Sequence, residues 1–365
     1  MVTTPRIDAV IAVHDARRPV ARAIRSLTES GLDVRDGAEL RITVVCHNID
    51  QAEIRAVVPE ELARDVRFLE LRDGIPSAAG PFTAGIAAAT APYVAIMGSD
   101  DVLEPGALAA WEKHTDGGRA DAVIPPQKHA NGATVRTPPK RPFRRGDLDA
   151  VKDRLAYRTA PLGLIRTEAV QRLGLRFPAG LRTGEDQSFS AKLWFGGVVR
   201  YAGGAPAYVV GADAETRVSM TSRPLRAEFA FVDELLADPW FSALPLASRG
   251  ALAIKIVRIH VFAAVLARIA SGEWDGDDQT FAADLVQRLE REAPGFERPF
   301  SVADRRALDA IADGHADVSV LAATLRARRR FGHPATLVTR GIRGMLAVEG
   351  PPRFMIASAL VRPSR

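Results

Sequence analysis

The first 125 residues alternate short apolar runs rich in β-branched side chains with stretches of helical periodicity, and few architectures accommodate that alternation. The apolar runs fall at 7–13, 40–46, 66–71 and 93–97, with a fifth at 122–124. A strand that is apolar at nearly every position must be covered on both faces, which is the pattern of a parallel sheet flanked by helices. Helix candidates lie between the runs at 19–30, 50–58, 81–90 and 105–114, several with Pro in the first turn or a capping residue before it. This order predicts an α/β, Rossmann-like fold with a mainly parallel sheet.

The pattern then changes. Residues 125–149 are rich in Pro, Gly, Lys and Arg without clear periodicity and read as a long loop or short irregular strands. A helix is expected at 185–195 and a strand-like run at 205–210. From residue 224 onward helix follows helix, at 226–237, 247–271, 279–292, 301–313 and 318–330. The change of period predicts two domains, an α/β domain over 1–220 and a helical domain with a basic tail over 221–365.

Composition narrows the class. With 47% hydrophobic and 25% charged residues the chain is globular rather than disordered. Cys46 is the sole cysteine, so neither an intrachain disulfide nor a cysteine-built zinc site can form. That economy, with no basic segment leading into an apolar one near Met1, predicts a cytoplasmic protein without a secretion signal. The nearest approach to a spanning segment, 251–269, is interrupted by Lys255, Arg258, His260 and Arg268, so an integral membrane protein is not expected. His260 reads as a packed side chain. The net charge of +5 suits anionic ligands. From 326 to the end there are nine arginines and one acid, Glu349, which suits peripheral contact with an anionic inner membrane face. Nucleic acid is not expected as a partner; the run from Arg326 to Arg330 reads as a solvated helix end.

In open α/β sheets, ligands bind beyond the C-terminal ends of the strands. There the sequence places His14, Asp15 and Arg17, then His47, Asn48 and Asp50, then Arg72 and Asp73, then Ser99, Asp100 and Asp101. The adjacent carboxylates of Asp100 and Asp101 repel unless a cation or hydrogen-bond donors neutralise them. They read either as a divalent-metal site or as a cap on the next helix. Thr183-Gly184-Glu185-Asp186 opens the helix that ends in Trp194-Phe195. Its carboxylates serve either to cap that helix or to take a proton from a substrate hydroxyl.

Together these motifs resemble the nucleotide-diphospho-sugar glycosyltransferases of GT-A fold, especially inverting family 2, over roughly residues 5–220. The segment from Ile7 to Asp15 with Ala23-Ile24-Arg25-Ser26-Leu27 is similar to that family's first strand and helix. Pro92 to Leu108, containing Gly98-Ser99-Asp100-Asp101, is similar to its metal-motif strand and helix. Ala160 to Arg166 resembles the acceptor-side segment and Gly184-Glu185-Asp186 the Glu-Asp motif. The resemblance implies that Asp100 and Asp101 hold Mg²⁺ or Mn²⁺ on the donor diphosphate, that Asp186 is the catalytic base and that Glu185 orients the acceptor. It implies further that His14, Asp15, Arg17, His47, Asn48, Ser77, Ser99, Asp100 and Arg217 contact the nucleotide sugar. The acceptor would be a glycan, a polyol phosphate or a lipid-linked hydroxyl.

Several positions depart from the family pattern. Cys46-His47-Asn48 stands where an acidic pair usually reads the base, Gly98 where an Asp commonly begins the metal motif, and Phe82-Thr83 where Arg-Asn is frequent. Arg217, Ser219 and Arg223 occupy the region of a late His. Two other readings stay open, a sugar-phosphate nucleotidyltransferase and a non-catalytic scaffold built on a degenerate transferase domain. The first predicts a Gly-rich basic loop after the first strand, where His14-Asp15-Ala16-Arg17-Arg18-Pro19 stands. A dinucleotide dehydrogenase is disfavoured because no Gly-x-Gly-x-x-Gly turn is present there. The C-terminal helices suit acceptor binding, a homodimer interface or membrane attachment.

Overall fold

A computed structural model of the chain describes residues 4–211 and 223–361. The expected domain boundary at 220, with Arg217 and Ser219, lies outside the described residues.

The core strands are β1 (Ile7–Val13), β2 (Leu40–His47), β3 (Val66–Leu71) and β4 (Tyr93–Gly98). They are followed by β5 (Val102–Leu103), β6 (Ala122–Ile124), β7 (Gln127–His129), β8 (Thr134–Val135) and β9 (Asp147–Leu148), then by β10 (Leu164–Arg166), β11 (Val199–Tyr201) and β12 (Tyr208–Val210). The main sheet has the order β3-β2-β1-β4-β10-β6-β11-β9. Its first four strands are parallel, as the apolar runs require. The other half is mixed: β10 runs antiparallel to both β4 and β6, while β11 is parallel to β6. Residues 125–149 supply short strands rather than a bare loop. A second sheet, β5-β12-β7-β8, takes β5 from the residues immediately after Asp101.

Burial on both faces follows the strand period of two. Ile7, Ala9, Ile11 and Val13 pack to one side with the helix Val20–Thr28. Val10 faces the other side with Val45, Val94 and Ile96, under the helices Ala79–Ala87 and Glu185–Gly196. Asp8 is the exception inside β1. Its carboxylate accepts from the backbone N–H groups of Thr90 and Ala91 at 2.7 and 2.8 Å and so fixes the entry to β4.

Beyond Leu225 the described chain is helical. The expected helix at 226–237 is broken at Phe229 into Leu225–Glu228 and Ala230–Ala237. Gly276–Glu292, Val302–Ala312 and Val318–Ala327 form where expected, started by the side-chain caps Asp275, Ser301 and Asp317. Pro334–Leu337, Ile342–Leu346 and Pro351–Ala359 are short helices the sequence reading did not anticipate. A correction concerns Leu246–Ala270: its 25 residues are long and apolar enough to cross a membrane, contrary to expectation. More than half of its most apolar window is buried, however, with Ala253, Val257, Val261, Phe262 and Val265 at the centre of the helical cluster. It serves as the core of that cluster.

A buried ionic clasp joins the two regions. Tyr157 donates its hydroxyl to Glu349 Oε2 at 2.9 Å, and Arg258 donates to both that hydroxyl and that oxygen at 3.0 Å. Arg154 donates to the carbonyls of Pro139 and Val348, and the Phe354 ring lies against the Tyr157 ring and under both guanidinium groups. Glu349 is 4% exposed, so removing it strands two buried cations. Glu349→Ala is expected to cost about 3–5 kcal/mol of stability, checked by urea denaturation.

Candidate active site

A cleft of about 580 Å³ opens at the C-terminal ends of the parallel strands. The end of β1 contributes His14 and Arg18, the end of β2 His47 and Asn48, the loop before Ala79 contributes Pro76 and Ser77, and the end of β4 Ser99, Asp100 and Asp101. Arg182, Thr183 and Glu185 close it from the start of the helix Glu185–Gly196. Of the residues expected to bind the nucleotide sugar, His14, His47, Asn48, Ser77, Ser99 and Asp100 line this one cleft. Asp15 and Arg17 do not. The Asp15 carboxylate accepts from the Arg17 backbone N–H at 2.8 Å and from its guanidinium at 2.6 Å, an Asx-turn that directs the Arg17 side chain outward, where it is 79% exposed.

The same turn points Arg18 inward, a residue the sequence reading missed. Its Nη1 lies 3.6 Å from Asp100 Oδ2, while Nε and Nη1 are buried without a hydrogen-bond partner among the described residues. The same holds for the Ser99 hydroxyl. A guanidinium and a hydroxyl in that condition have donors available for an anionic ligand. Only the consecutive arginines after β1 hinted at Arg18; which of the two faces inward is decided by the turn.

Asp101, expected to share a metal with Asp100, is bonded to protein donors on both of its oxygens. Its Oδ2 accepts from the Tyr208 hydroxyl at 2.5 Å and from Gly98 N at 3.2 Å, and its Oδ1 accepts from Gly211 N at 2.8 Å. Burial pushes its carboxyl above the ordinary range, with these donors opposing the shift. Asp101 therefore ties β4 to β12. Gly98 belongs to the same arrangement: a Cβ there would sit 2.8 Å from Asp101 Oδ2, so a side chain at that position would require the Asp101 carboxylate to shift. Both carboxylates line the cleft, and Asp100 is the one whose side chain meets Arg18 there. Among the described residues no cluster of three or more His, Cys, Asp or Glu side chains could hold a metal.

His47, Asn48 and Asp73 form a brace under the cleft. His47 Nε2 lies 2.8 Å from Asp73 Oδ1, and Asn48 Oδ1 accepts from the N–H groups of Asp73 and Gly74 at 3.1 and 3.0 Å. The Ile75 N–H, then His47, holds the Asp73 carboxyl below its usual range. The brace fixes the loop that carries Pro76 and Ser77.

At the other wall Glu185 lines the cleft, whereas Asp186 is half-buried beside it. Burial raises the proton affinity of both carboxyls, and for Asp186 the charge of Glu185 raises it further while Lys255 opposes. Burial thus outweighs the helix N-terminus, which was expected to act in the other direction.

The architecture is a GT-A fold. Residues 8–174, a little under half of the chain, match the sequence model of glycosyl transferase family 2. The poly(ribitol-phosphate) β-N-acetylglucosaminyltransferase TarP of Staphylococcus aureus is 25% identical over 147 residues, 40% of this chain and 44% of TarP. The match therefore spans less than half of that relative. Crystal structures of S. aureus TarS 1–349 with UDP-GlcNAc and with UDP superimpose with TM-scores of 0.69 and 0.62 at 15% identity, over 89% of this chain and 91% of theirs. At that identity they share the GT-A fold, including the C-terminal helical region.

The two aspartates are separable by experiment. Asp101→Ala is expected to destabilise the protein by about 2 kcal/mol or more, because it orphans the buried Tyr208 hydroxyl, whereas Asp100→Ala is expected to keep the melting temperature and lose nucleoside-diphosphate affinity. Thermal melts and calorimetric titration read the two effects.

Proposed function

We propose that the protein transfers a sugar, with inversion, from a uridine-diphosphate sugar of the UDP-N-acetylglucosamine type to a hydroxyl of a polyol-phosphate polymer. One observation carries the reading: Asp100 and Arg18 share a single cleft with Glu185, with Asp186 beside it. The donor class draws support from the UDP-GlcNAc and UDP bound to TarS, and the acceptor class from the name of TarP.

In this reading the diphosphate lies against Arg18 and Ser99, whose open donors bind its charge as the bond to the sugar breaks. His14 and His47 flank the nucleoside, and the brace beneath Ser77 keeps that wall rigid. Asp186 takes the proton of the acceptor hydroxyl as it attacks the anomeric carbon from the face opposite the diphosphate, and Glu185 orients the acceptor. One carboxylate with phosphate oxygens is a sufficient donor set for Mg²⁺ or Mn²⁺, so Asp100 is the residue that would hold it; such an ion supplies Lewis-acid stabilisation of the leaving diphosphate. Arg217 keeps its proposed place near the diphosphate.

A base must be ionised to act, and the Asp186 carboxyl holds its proton above the usual range near about 4. The activity, measured as kcat/KM, is therefore expected to fall on the acid side along a limb lying well above that range, as Asp186 protonates. Asp186→Asn is expected to lower transfer by roughly 10²–10⁴-fold and leave UDP binding nearly intact. Full activity in that variant would remove Asp186 from the role, and absence of any nucleotide-sugar turnover in the parent would favour the scaffold reading.

The C-terminal surface fits a cytoplasmic enzyme resting on an anionic membrane. Phe331, Ile342, Leu346 and Ile356 are exposed there at 85, 71, 66 and 58%, near exposed Arg326, Arg329, Arg330 and Arg343. Co-sedimentation with phosphatidylglycerol vesicles, weakened by salt, is the expected result. A doubled mass in solution without vesicle binding would assign the surface to a homodimer instead.

A further inference from the structure

Lys255 is the unexplained charge near the cleft. It is 2% exposed and ends the first stretch of the long helix, Leu246–Lys255, where the backbone widens into a π-helical turn over Ile256–Val261. Such turns are rare and concentrate at functional sites. A buried ammonium is costly unless an anion or acceptors compensate. Here Nζ donates to Gln187 Oε1, and Gln187 Nε2 in turn lies 3.3 Å from Asp186 Oδ1. The Asp186 carboxylate is the negative charge that acts on Lys255, and burial lowers the proton affinity of the ammonium against that attraction.

The surroundings leave Lys255 as the cation serving Asp186. His260, on the π-helical turn, is buried with its ring edge-on to Phe231 at 5.4 Å, and burial together with Lys255 keeps it neutral. Arg158 shares a small cavity with Lys255 and Gln187, but its Nη1 and Nη2 donate to the carbonyls of Thr137, Pro125 and Leu162. On the helix that carries Asp186, Glu185 adds negative charge, and Arg223 acts on Glu185. Phe231 packs against Gly184 so closely that a Cβ there would lie 2.7 Å from the ring, and Gly184 has a φ of +74°. The start of the Glu185 helix is thus seated on the C-terminal helices at two points, Phe231 and Lys255.

We propose that Lys255 is a positioning residue for transfer: through Gln187 it holds the Asp186 carboxylate in place, and its positive charge keeps that carboxylate ionised while the acceptor binds. The proposal rests on Asp186 as the base. It makes the C-terminal helical region part of the catalytic centre.

The test is the pH profile of kcat/KM in Lys255→Met and Lys255→Gln, with Lys255→Arg as the charge-retaining control. Methionine fills the space with an apolar chain of similar length, and glutamine keeps a polar end, so the two neutral variants place different demands on folding; circular dichroism verifies each. Loss of a nearby positive charge is expected to move the acid limb to higher pH by about one unit or more, with UDP affinity unchanged, while Lys255→Arg keeps the limb near that of the parent. An unmoved limb in a folded neutral variant would overturn the role of Lys255. Failure of the underlying reading looks different, because then Asp186→Asn itself would remain active.

Discussion

Both oxygens of the Asp101 carboxylate are held by protein donors, and the rest of the cleft is arranged around that anchorage. Tyr208 and Gly211 come from the end of the catalytic half of the chain, Asp101 from the end of β4, so their bonds draw the second sheet across the mouth of the first. With Asp101 fixed, Asp100 lines the cleft beside Arg18. Two adjacent carboxylates thereby avoid mutual repulsion by dividing their tasks, one structural and one free for a ligand.

The parallel half of the fold was legible because its strands are buried on both faces and read as unbroken apolar runs; 7–13 and 66–71 match their strands end to end. The mixed half was harder to read, because strands such as β9 and β10 are only two or three residues long and carry no period. Among site residues, those on strand ends were found because topology alone puts them at the crevice. Arg18 and Lys255 were missed for opposite reasons. Arg18 depends on a local turn that sends its neighbour Arg17 outward, and Lys255 lies 69 residues after Asp186 in a helix whose composition advertises only a hydrophobic core. The Asp100-Asp101 pair lies at the cleft, but partners that distinguish its members are supplied from more than 100 residues away.

Some buried polar groups of the helical region bond within it, as Asp278 does with Arg268, but two of its buried cations reach the α/β region. Lys255 reaches the helix bearing Asp186, and Arg258, a little further along the same segment, reaches Tyr157 and Glu349. A helix with only apolar residues would pack as well or better, since buried ion pairs seldom exceed the stability of the apolar contacts they replace. What these charges add is registry: they specify which turn of the long helix faces which part of the α/β domain.

The clasp at Glu349 also orders events in time. Its partners Tyr157 and Arg258 precede it by 192 and 91 residues, so during synthesis both are made long before the acid that neutralises them. Until Glu349 leaves the ribosome, Arg154 and Arg258 lack the carboxylate that pairs with both of them. Closing the seam between the two regions is a late, long-range step of the kind that slows folding. The seam is therefore finished only after Glu349 has emerged, 192 residues behind its partner Tyr157.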